Sequence, residues 1–138
     1  MGTVVQSAEE VERLMQGTDP AYVSLLFDSG HFAYCGEDPV EMVKRYAGRI
    51  KHVHLKDIRP EVVEKVKAEK MSFLAGVRAG AFTVPGDGCI TFAPIFKALE
   101  ESGYEGYMVV EAEQDPAKAN PLAYAIQARK YITEQTGL

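Results

Sequence analysis

The stretch YVSLLFDSGH, residues 22–31, is a short apolar run that ends in Asp28 and His31. Two later stretches repeat this pattern, each a run rich in Val, Ile and Leu that ends in a potential metal ligand: IKHVHLKD, residues 50–57, with His54, and YMVVEAEQD, residues 107–115, with Glu111. Parallel β-strands that are covered on both faces have such near-continuous apolar runs. We therefore predict three parallel strands, each with a polar side chain at its carboxyl end.

Segments with helical spacing of apolar residues separate these strands. Ser7 and Glu10 have the spacing of a capping box, and Asn120-Pro121 has the composition of a helix start. The predicted helices begin near Ser7, Asp38, Pro60, Phe73, Thr91 and Asn120, and the last one has its apolar stripe at Leu122, Ala125, Ile126 and Ile132. The predicted strands are 22–27, 50–55 and 107–110, and we expect loops after Asp28 and at VPGDG, residues 84–88.

Regular alternation of helices and strands indicates an α/β fold with a parallel sheet and right-handed crossovers. Three such strands do not close on themselves, and a complete (β/α)₈ barrel needs about 250 residues, whereas this chain has 138. We predict one domain, residues 1–138, that is the C-terminal part of a TIM barrel: three parallel strands with flanking helices, starting after the fifth barrel strand.

Composition argues against several classes of partner. The formal net charge of −5 disfavours binding to nucleic acid, which needs clustered Lys and Arg. No stretch approaches the roughly 20 apolar residues of a membrane span, and the N-terminal residues lack the pattern of a signal peptide. Because Cys35 and Cys89 make no disulfide framework, we expect reduced thiols in a cytoplasmic protein.

The three strand ends carry the ligand types of a metal site. The carboxyl ends of parallel strands meet at one edge of a sheet, so Asp28, His54 and Glu111 should converge there. Carboxylate and imidazole ligands suit Mn²⁺, Co²⁺ or Zn²⁺. The plainer alternatives are that Asp28 caps a turn and that Glu111 pairs with Lys56, and we favour metal ligation. His52 is equally consistent with a ligand and with a packed or supporting histidine.

Five segments, which together span nearly the whole chain, resemble the xylose isomerase-like TIM-barrel superfamily: MGTVVQ, SLLFDSGHFAYCGEDP, RIKHVHLKDIRP, FTVPGDG and VVEAEQDPAKANP. The last two favour the members that dehydrate a cyclic keto-polyol, 2-keto-myo-inositol. The resemblance implies metal ligands at Asp28, His54 and Glu111, at the ends of barrel strands six to eight. It also implies a further ligand from strand five, at a position that would lie before Met1.

Other polar residues near the strand ends are candidates for contact with the substrate. The resemblance implies substrate contact by His31, which could also transfer a proton, and by Arg59. Charged residues after a strand are usually solvated, and we expect this of Lys56 and Asp57, with Lys56 a candidate for substrate binding. Glu113 is a candidate acid or base, an acceptor behind a ligand, or an ordinary loop residue. The VPGDG loop should shape the mouth of the site.

The expected activity is metal-dependent dehydration of 2-keto-myo-inositol to a trihydroxycyclohexane dione, with Mn²⁺ or Co²⁺ as the cofactor. One alternative is a keto-sugar isomerase or epimerase, since the same α-proton abstraction serves both reactions. Another is a non-catalytic half-barrel. We expect a small cyclic keto-polyol or keto-sugar as the ligand and no nucleic acid or membrane partner. Open sheet edges predict that the chain forms a homo-oligomer.

Overall fold

The computed structural model describes residues 4–138, so the first three residues of MGTVVQ lie outside it. The helices are α1 Ala8–Gln16, α2 Ser29–Cys35, α3 Pro39–Tyr46, α4 Pro60–Ala68, α5 Phe73–Ala79, α6 Ala93–Glu101 and α7 Pro121–Thr136, with a single 3₁₀ turn at Ala47–Arg49. The strands are β1 Leu25–Asp28, β2 Ile50–Leu55, β3 Asp57–Ile58, β4 Phe82–Thr83 and β5 Met108–Val110.

The main sheet has three parallel strands in the order β1-β2-β5. The register places Asp28 beside His54, and His54 beside Val109. Helices connect one strand to the next, as parallel pairing requires. This arrangement confirms the predicted α/β fold and the sheet of three parallel strands.

The core lies between this sheet and the helices on one of its faces. Phe27, Val53 and Leu55 are fully buried in it, against apolar residues of α3 and α6. Burial of such a side chain contributes about 1.5–3 kcal/mol. Since side chains alternate along a strand, His52 and His54 face the opposite side of the sheet, where they are half-buried. The apolar pattern thus directs the ligand-type residues away from the core.

The segment after Asp28 is helix α2 and not the predicted loop. The Asp28 carboxylate caps this helix by accepting a hydrogen bond from the backbone N–H of His31 at 2.9 Å. Gly36, at φ 92°, ends the helix in the left-handed conformation that glycine tolerates best. The helix escaped prediction because seven residues are too few to show a clear apolar period.

Several predicted boundaries were wrong for local reasons. Strand β1 begins at Leu25, because the N–H groups of Tyr22 and Val23 are bonded to the carbonyl of Asp19 in a turn. Thr91 does not cap α6, which follows Phe92 without a side-chain cap. In α7 the buried residues are Ala128 and Ile132, whereas two residues of the predicted stripe, Leu122 and Ile126, are exposed.

A second, two-stranded antiparallel sheet was not predicted. It pairs β3 with β4, with Asp57 opposite Thr83 and Ile58 opposite Phe82. Strands of two residues are too short to leave an alternating pattern in the sequence. Among the helices of residues 4–138, none is long and apolar enough to cross a bilayer.

Candidate metal centre

The predicted ligands come from three neighbouring strands. Asp28 is the last residue of β1, and His54 lies opposite it in β2. Glu111 follows β5 directly, and its N–H donates to the carbonyl of Leu55 at 3.2 Å, which continues the parallel pairing by one residue. The sheet therefore brings all three side chains to the same edge, as the sequence predicted.

One potential ligand atom from each of these residues lies within 4.8 Å of the other two. His54 Nδ1 is 2.8 Å from Glu111 Oε2 and 3.4 Å from Asp28 Oδ2. The other oxygen of Asp28 accepts the N–H of His31, which orients the carboxylate. One imidazole and two carboxylates fit a divalent ion such as Zn²⁺, Mn²⁺ or Co²⁺, and three protein ligands leave coordination positions open. We call Asp28, His54 and Glu111 the ligand triad.

Lys56 lies beside the ligand triad and is completely buried, so the prediction of a solvated lysine was wrong. Its ammonium is 3.0 Å from Glu111 Oε2, 2.9 Å from Glu113 Oε2 and 3.4 Å from Asp28 Oδ2. Burial lowers the pKa of Lys56, but the negative charge of Asp28 and hydrogen bonds to Glu113 and Glu111 outweigh it and raise the pKa. The structure therefore contains a buried ammonium ion next to the ligand triad.

The same lysine lowers the pKa of a triad member. Burial raises the pKa of Glu111, but the hydrogen bond and charge of Lys56, together with His54, outweigh that effect and hold the pKa below its usual range. Glu111 is therefore an ionised carboxylate at neutral pH, the form in which it can ligate a metal.

His31 lies on the other side of the ammonium. Its Nε2 is 2.9 Å from the Nζ of Lys56, and since an ammonium only donates, Nε2 is the accepting nitrogen. The ring packs against both Phe73 and Phe82, and its Nδ1 is buried with no hydrogen-bond partner among residues 4–138. Burial lowers the pKa of His31, and the charges of the nearby carboxylates raise it by less. The pKa of His31 therefore lies below its usual range.

Glu113 is fixed next to His31 and Lys56. Its Oε2 accepts from the Nζ of Lys56 and is 3.5 Å from the Nε2 of His31. Its backbone has φ 44°, a left-handed conformation that is uncommon for a glutamate and that often marks a functional site. These contacts place Glu113 in the same polar cluster as the ligand triad.

The chain is similar over nearly its whole length to proteins of one known family. A family model described as xylose isomerase-like TIM barrel matches residues 1–135. The chain belongs to this family. Proteins named inosose dehydratase are similar to the whole chain: that of Clostridium perfringens is 67% identical over 138 residues, and that of Geobacillus thermodenitrificans is 59% identical over 138 residues. The chain spans only 46% of the length of either relative.

Solved structures of the xylose isomerase-like fold agree with the topology. A xylose isomerase domain protein from Alicyclobacillus acidocaldarius superposes with a TM-score of 0.66 at 23% identity, over 96% of this chain and 44% of that one. The IolI protein, whose structure holds a zinc atom, superposes with a TM-score of 0.64 at 24% identity, over 94% of this chain and 43% of that one. At these identities the two superpositions establish a shared fold and nothing more. This chain covers less than half of each of the two proteins.

Two residues that the sequence suggested for the site, His52 and Arg59, lie outside the cluster formed by the ligand triad, Lys56, His31 and Glu113. His52 contacts His54 edge-on, with ring centroids 5.1 Å apart, but is not part of the ligand triad. Arg59 donates to Asp87 at 2.6 Å and to Thr83 at 3.0 Å. Among the hydrogen bonds between described residues, none joins Arg59 to the ligand triad. Arg59 therefore binds the loop after β4 and makes no hydrogen bond to the ligand triad.

Asp57 is the polar residue near the site whose role the sequence did not reveal. It is fully buried, contrary to the prediction, and accepts four backbone N–H groups at 2.8–3.3 Å: those of Ile58, Gly86, Gly88 and Ile90. A Cβ on Gly88 would lie 2.4 Å from the Asp57 carboxylate, so only glycine allows this close approach. The Asp57 carboxylate thus fixes the position of the VPGDG loop through hydrogen bonds to its backbone.

Proposed function

We propose that this chain is the C-terminal part of an inosose dehydratase, a carbon–oxygen lyase that converts 2-keto-myo-inositol to a trihydroxycyclohexane dione. In this proposal β1, β2 and β5 are barrel strands six, seven and eight. The observation that carries it is the ligand triad, whose atoms lie within 4.8 Å of one another. The name of relatives that are 59–67% identical along the whole chain supports the choice of reaction.

The cofactor in this proposal is a divalent metal, with Mn²⁺ or Co²⁺ favoured. Asp28, His54 and Glu111 would hold it, since they offer one nitrogen and two carboxylate oxygens. A bound divalent ion supplies Lewis-acid polarisation of a substrate ketone. Lys56 lies next to Glu111 and Glu113, so a small cyclic keto-polyol bound beside the ligand triad would meet both a donor and an acceptor.

Loss of water from this substrate needs two proton transfers. A base takes the proton from the carbon next to the ketone, and the hydroxyl on the following carbon leaves with a proton as water. We assign the base to Glu113, whose carboxylate is held by Lys56. We assign orientation of the leaving hydroxyl, or protonation of it, to His31. We assign Lys56 a contact with a substrate oxygen, for which its ammonium would give up one of its three present partners, Glu111, Glu113 or His31. We assign Arg59 a weaker contact at the periphery of the substrate.

Self-association is part of the proposal. Among residues 4–138, β1 and β5 each pair on one side only, because β2 lies between them. Leu26 and Val109, on these two strands, are 46% and 39% exposed. Open edges and exposed apolar side chains favour pairing with another chain, so we propose a homo-oligomer. We also propose a cytoplasmic location, consistent with the two free cysteines, Cys35 and Cys89.

The histidines of β2 form a matched pair for testing the metal centre. Calorimetric titration of the chain with MnCl₂ or CoCl₂ should give one ion per chain. His54→Gln should abolish this binding, because it removes the only nitrogen of the ligand triad. His52→Gln should retain it, because His52 is two residues away but outside the triad. Equal binding by the two variants would reject the centre.

The reaction itself is tested in the full-length parent enzyme that contains this segment. With 2-keto-myo-inositol as substrate, we expect the dione as product, no turnover in the His54→Gln variant and retained turnover in the His52→Gln variant. Formation of a rearranged ketose instead of a dione would replace the dehydratase by an isomerase or epimerase. Metal binding without any product from either substrate class would favour a non-catalytic half-barrel.

A further inference from the structure

Each residue of the segment Asp28-Ser29-Gly30-His31 contacts Lys56. The Ser29 hydroxyl donates to the backbone carbonyl of Lys56 at 2.7 Å and accepts its backbone N–H at 3.0 Å. Asp28 and His31 contact the ammonium at 3.4 Å and 2.9 Å. The lysine is thus held at both its backbone and its charged end by a segment that lies 25–28 residues earlier in the chain.

Gly30 provides the space for the lysine side chain. A Cβ at this position would lie 2.5 Å from the Cγ of Lys56 and 2.9 Å from its Cδ. The ring of Phe82 also packs against the ammonium, with its centroid 5.1 Å from Nζ. The lysine is therefore confined between α2 and β4, and its ammonium has little freedom to move away from the ligand triad.

The ammonium shares its acceptors with any ion in the ligand triad. Its three shortest contacts are to Glu111, Glu113 and His31, at 2.9–3.0 Å, which matches the three N–H donors of an ammonium. Glu111 Oε2 is also the atom that lies 2.8 Å from the Nδ1 of His54. An ion ligated by Glu111 and Asp28 would thus lie within a few ångströms of a permanent positive charge.

We infer that Lys56 is a positioning residue that sets the affinity of the metal centre. Without a metal, its charge holds three mutually repelling carboxylates in place. With a metal bound, the same charge repels the ion in a partly buried site, where screening by solvent is weak. This inference rests on the metal centre proposed above.

A structural ion pair and an affinity-setting charge make opposite predictions. If Lys56 only stabilises the fold, its removal loosens the carboxylates, and metal binding weakens together with stability. If Lys56 opposes the metal, its removal strengthens metal binding although the metal-free protein becomes less stable. Measuring both the metal affinity and the stability of the metal-free protein therefore decides between the two roles of Lys56.

The test is titration of the chain with MnCl₂ alone, without substrate. Lys56→Met, an apolar side chain of similar length, should raise Mn²⁺ affinity at least about tenfold, since the removed repulsion acts at short range. Lys56→Gln provides a second neutral variant if the first does not fold, with the same direction expected. Lys97→Met is the matched control: Lys97 pairs with Glu101 on an exposed helix face, and its removal should leave the affinity unchanged.

Thermal unfolding gives the second readout. Without metal, the neutral variants at Lys56 should have a lower melting temperature than the wild type. On addition of Mn²⁺, their melting temperature should rise by more than that of the wild type. Unchanged or weaker Mn²⁺ binding by both neutral variants, with normal binding by the wild type, overturns the inference and leaves the metal centre intact. Absence of Mn²⁺ binding by the wild type overturns both.

Discussion

Replacing Gly30 with alanine tests the close packing of α2 on Lys56, which lies between β2 and β3. The added methyl group would lie 2.5 Å from the Cγ of Lys56, 2.8 Å from its Cβ and 2.9 Å from its Cδ, whereas carbon atoms normally approach to about 3.5–4.0 Å. These atoms are at the base of the side chain. The backbone of Lys56 cannot withdraw either, because Ser29 binds both its N–H and its carbonyl.

The expected cost follows from these distances. Overpacking of a tight site costs about 1–3 kcal/mol, and a clash with atoms that cannot move belongs at the upper end. Alanine is favoured over glycine by about 1 kcal/mol inside a helix, and Gly30 lies within α2. The net loss in unfolding free energy should be about 2 kcal/mol, or a fall in melting temperature of roughly 6–10 °C.

Urea and thermal unfolding followed by circular dichroism measure this loss. Gly48→Ala is the matched control, since a Cβ there meets nothing within 4 Å and the residue has no positive φ. It should change the unfolding free energy by less than about 0.5 kcal/mol. A Gly30→Ala variant as stable as the wild type, or a control that is equally destabilised, would refute the packing argument.

Two further predictions concern the loop next to the site. Asp57→Ala leaves four backbone N–H groups without their acceptor and should cost at least about 3 kcal/mol in urea unfolding, since one unsatisfied buried group costs about 1–3 kcal/mol; a loss below about 1 kcal/mol would contradict it. Burial raises the pKa of Asp87, but hydrogen bonds from Thr83, Gln127 and Arg59 outweigh this effect and hold the pKa below its usual range. A carboxyl group whose pKa is lower in the folded than in the unfolded chain adds stability above the unfolded pKa, and this stability is lost as the pH falls through the folded pKa. The stability advantage of the wild type over Asp87→Asn should therefore shrink as the pH falls below about 4, the ordinary pKa of an aspartate. An advantage that is independent of pH would argue against this ion pair.

The three parallel strands and the ligand triad were predictable from local sequence. Val53 and Leu55 alternate with His52 and His54, and this period of two already separates the core face from the opposite face. The carboxyl ends of parallel strands share one edge, so Asp28, His54 and Glu111 had to meet once the strands were parallel. Helix starts with strong caps, such as Ser7 with Glu10, were predictable for the same local reason.

The environment of the charged residues was decided by tertiary structure alone. Lys56 and Asp57 follow a strand, where charged side chains are usually solvated, yet both are fully buried. Lys56 can be buried because its ammonium meets His31, 25 residues earlier, and Glu113, 57 residues later. Burial of a charge is favourable only when such partners surround it, and they come together only when the chain has folded. Local sequence therefore determined the strands and the edge of the sheet at which Asp28, His54 and Glu111 meet, whereas contacts between distant segments determined which charged groups lie beside that edge.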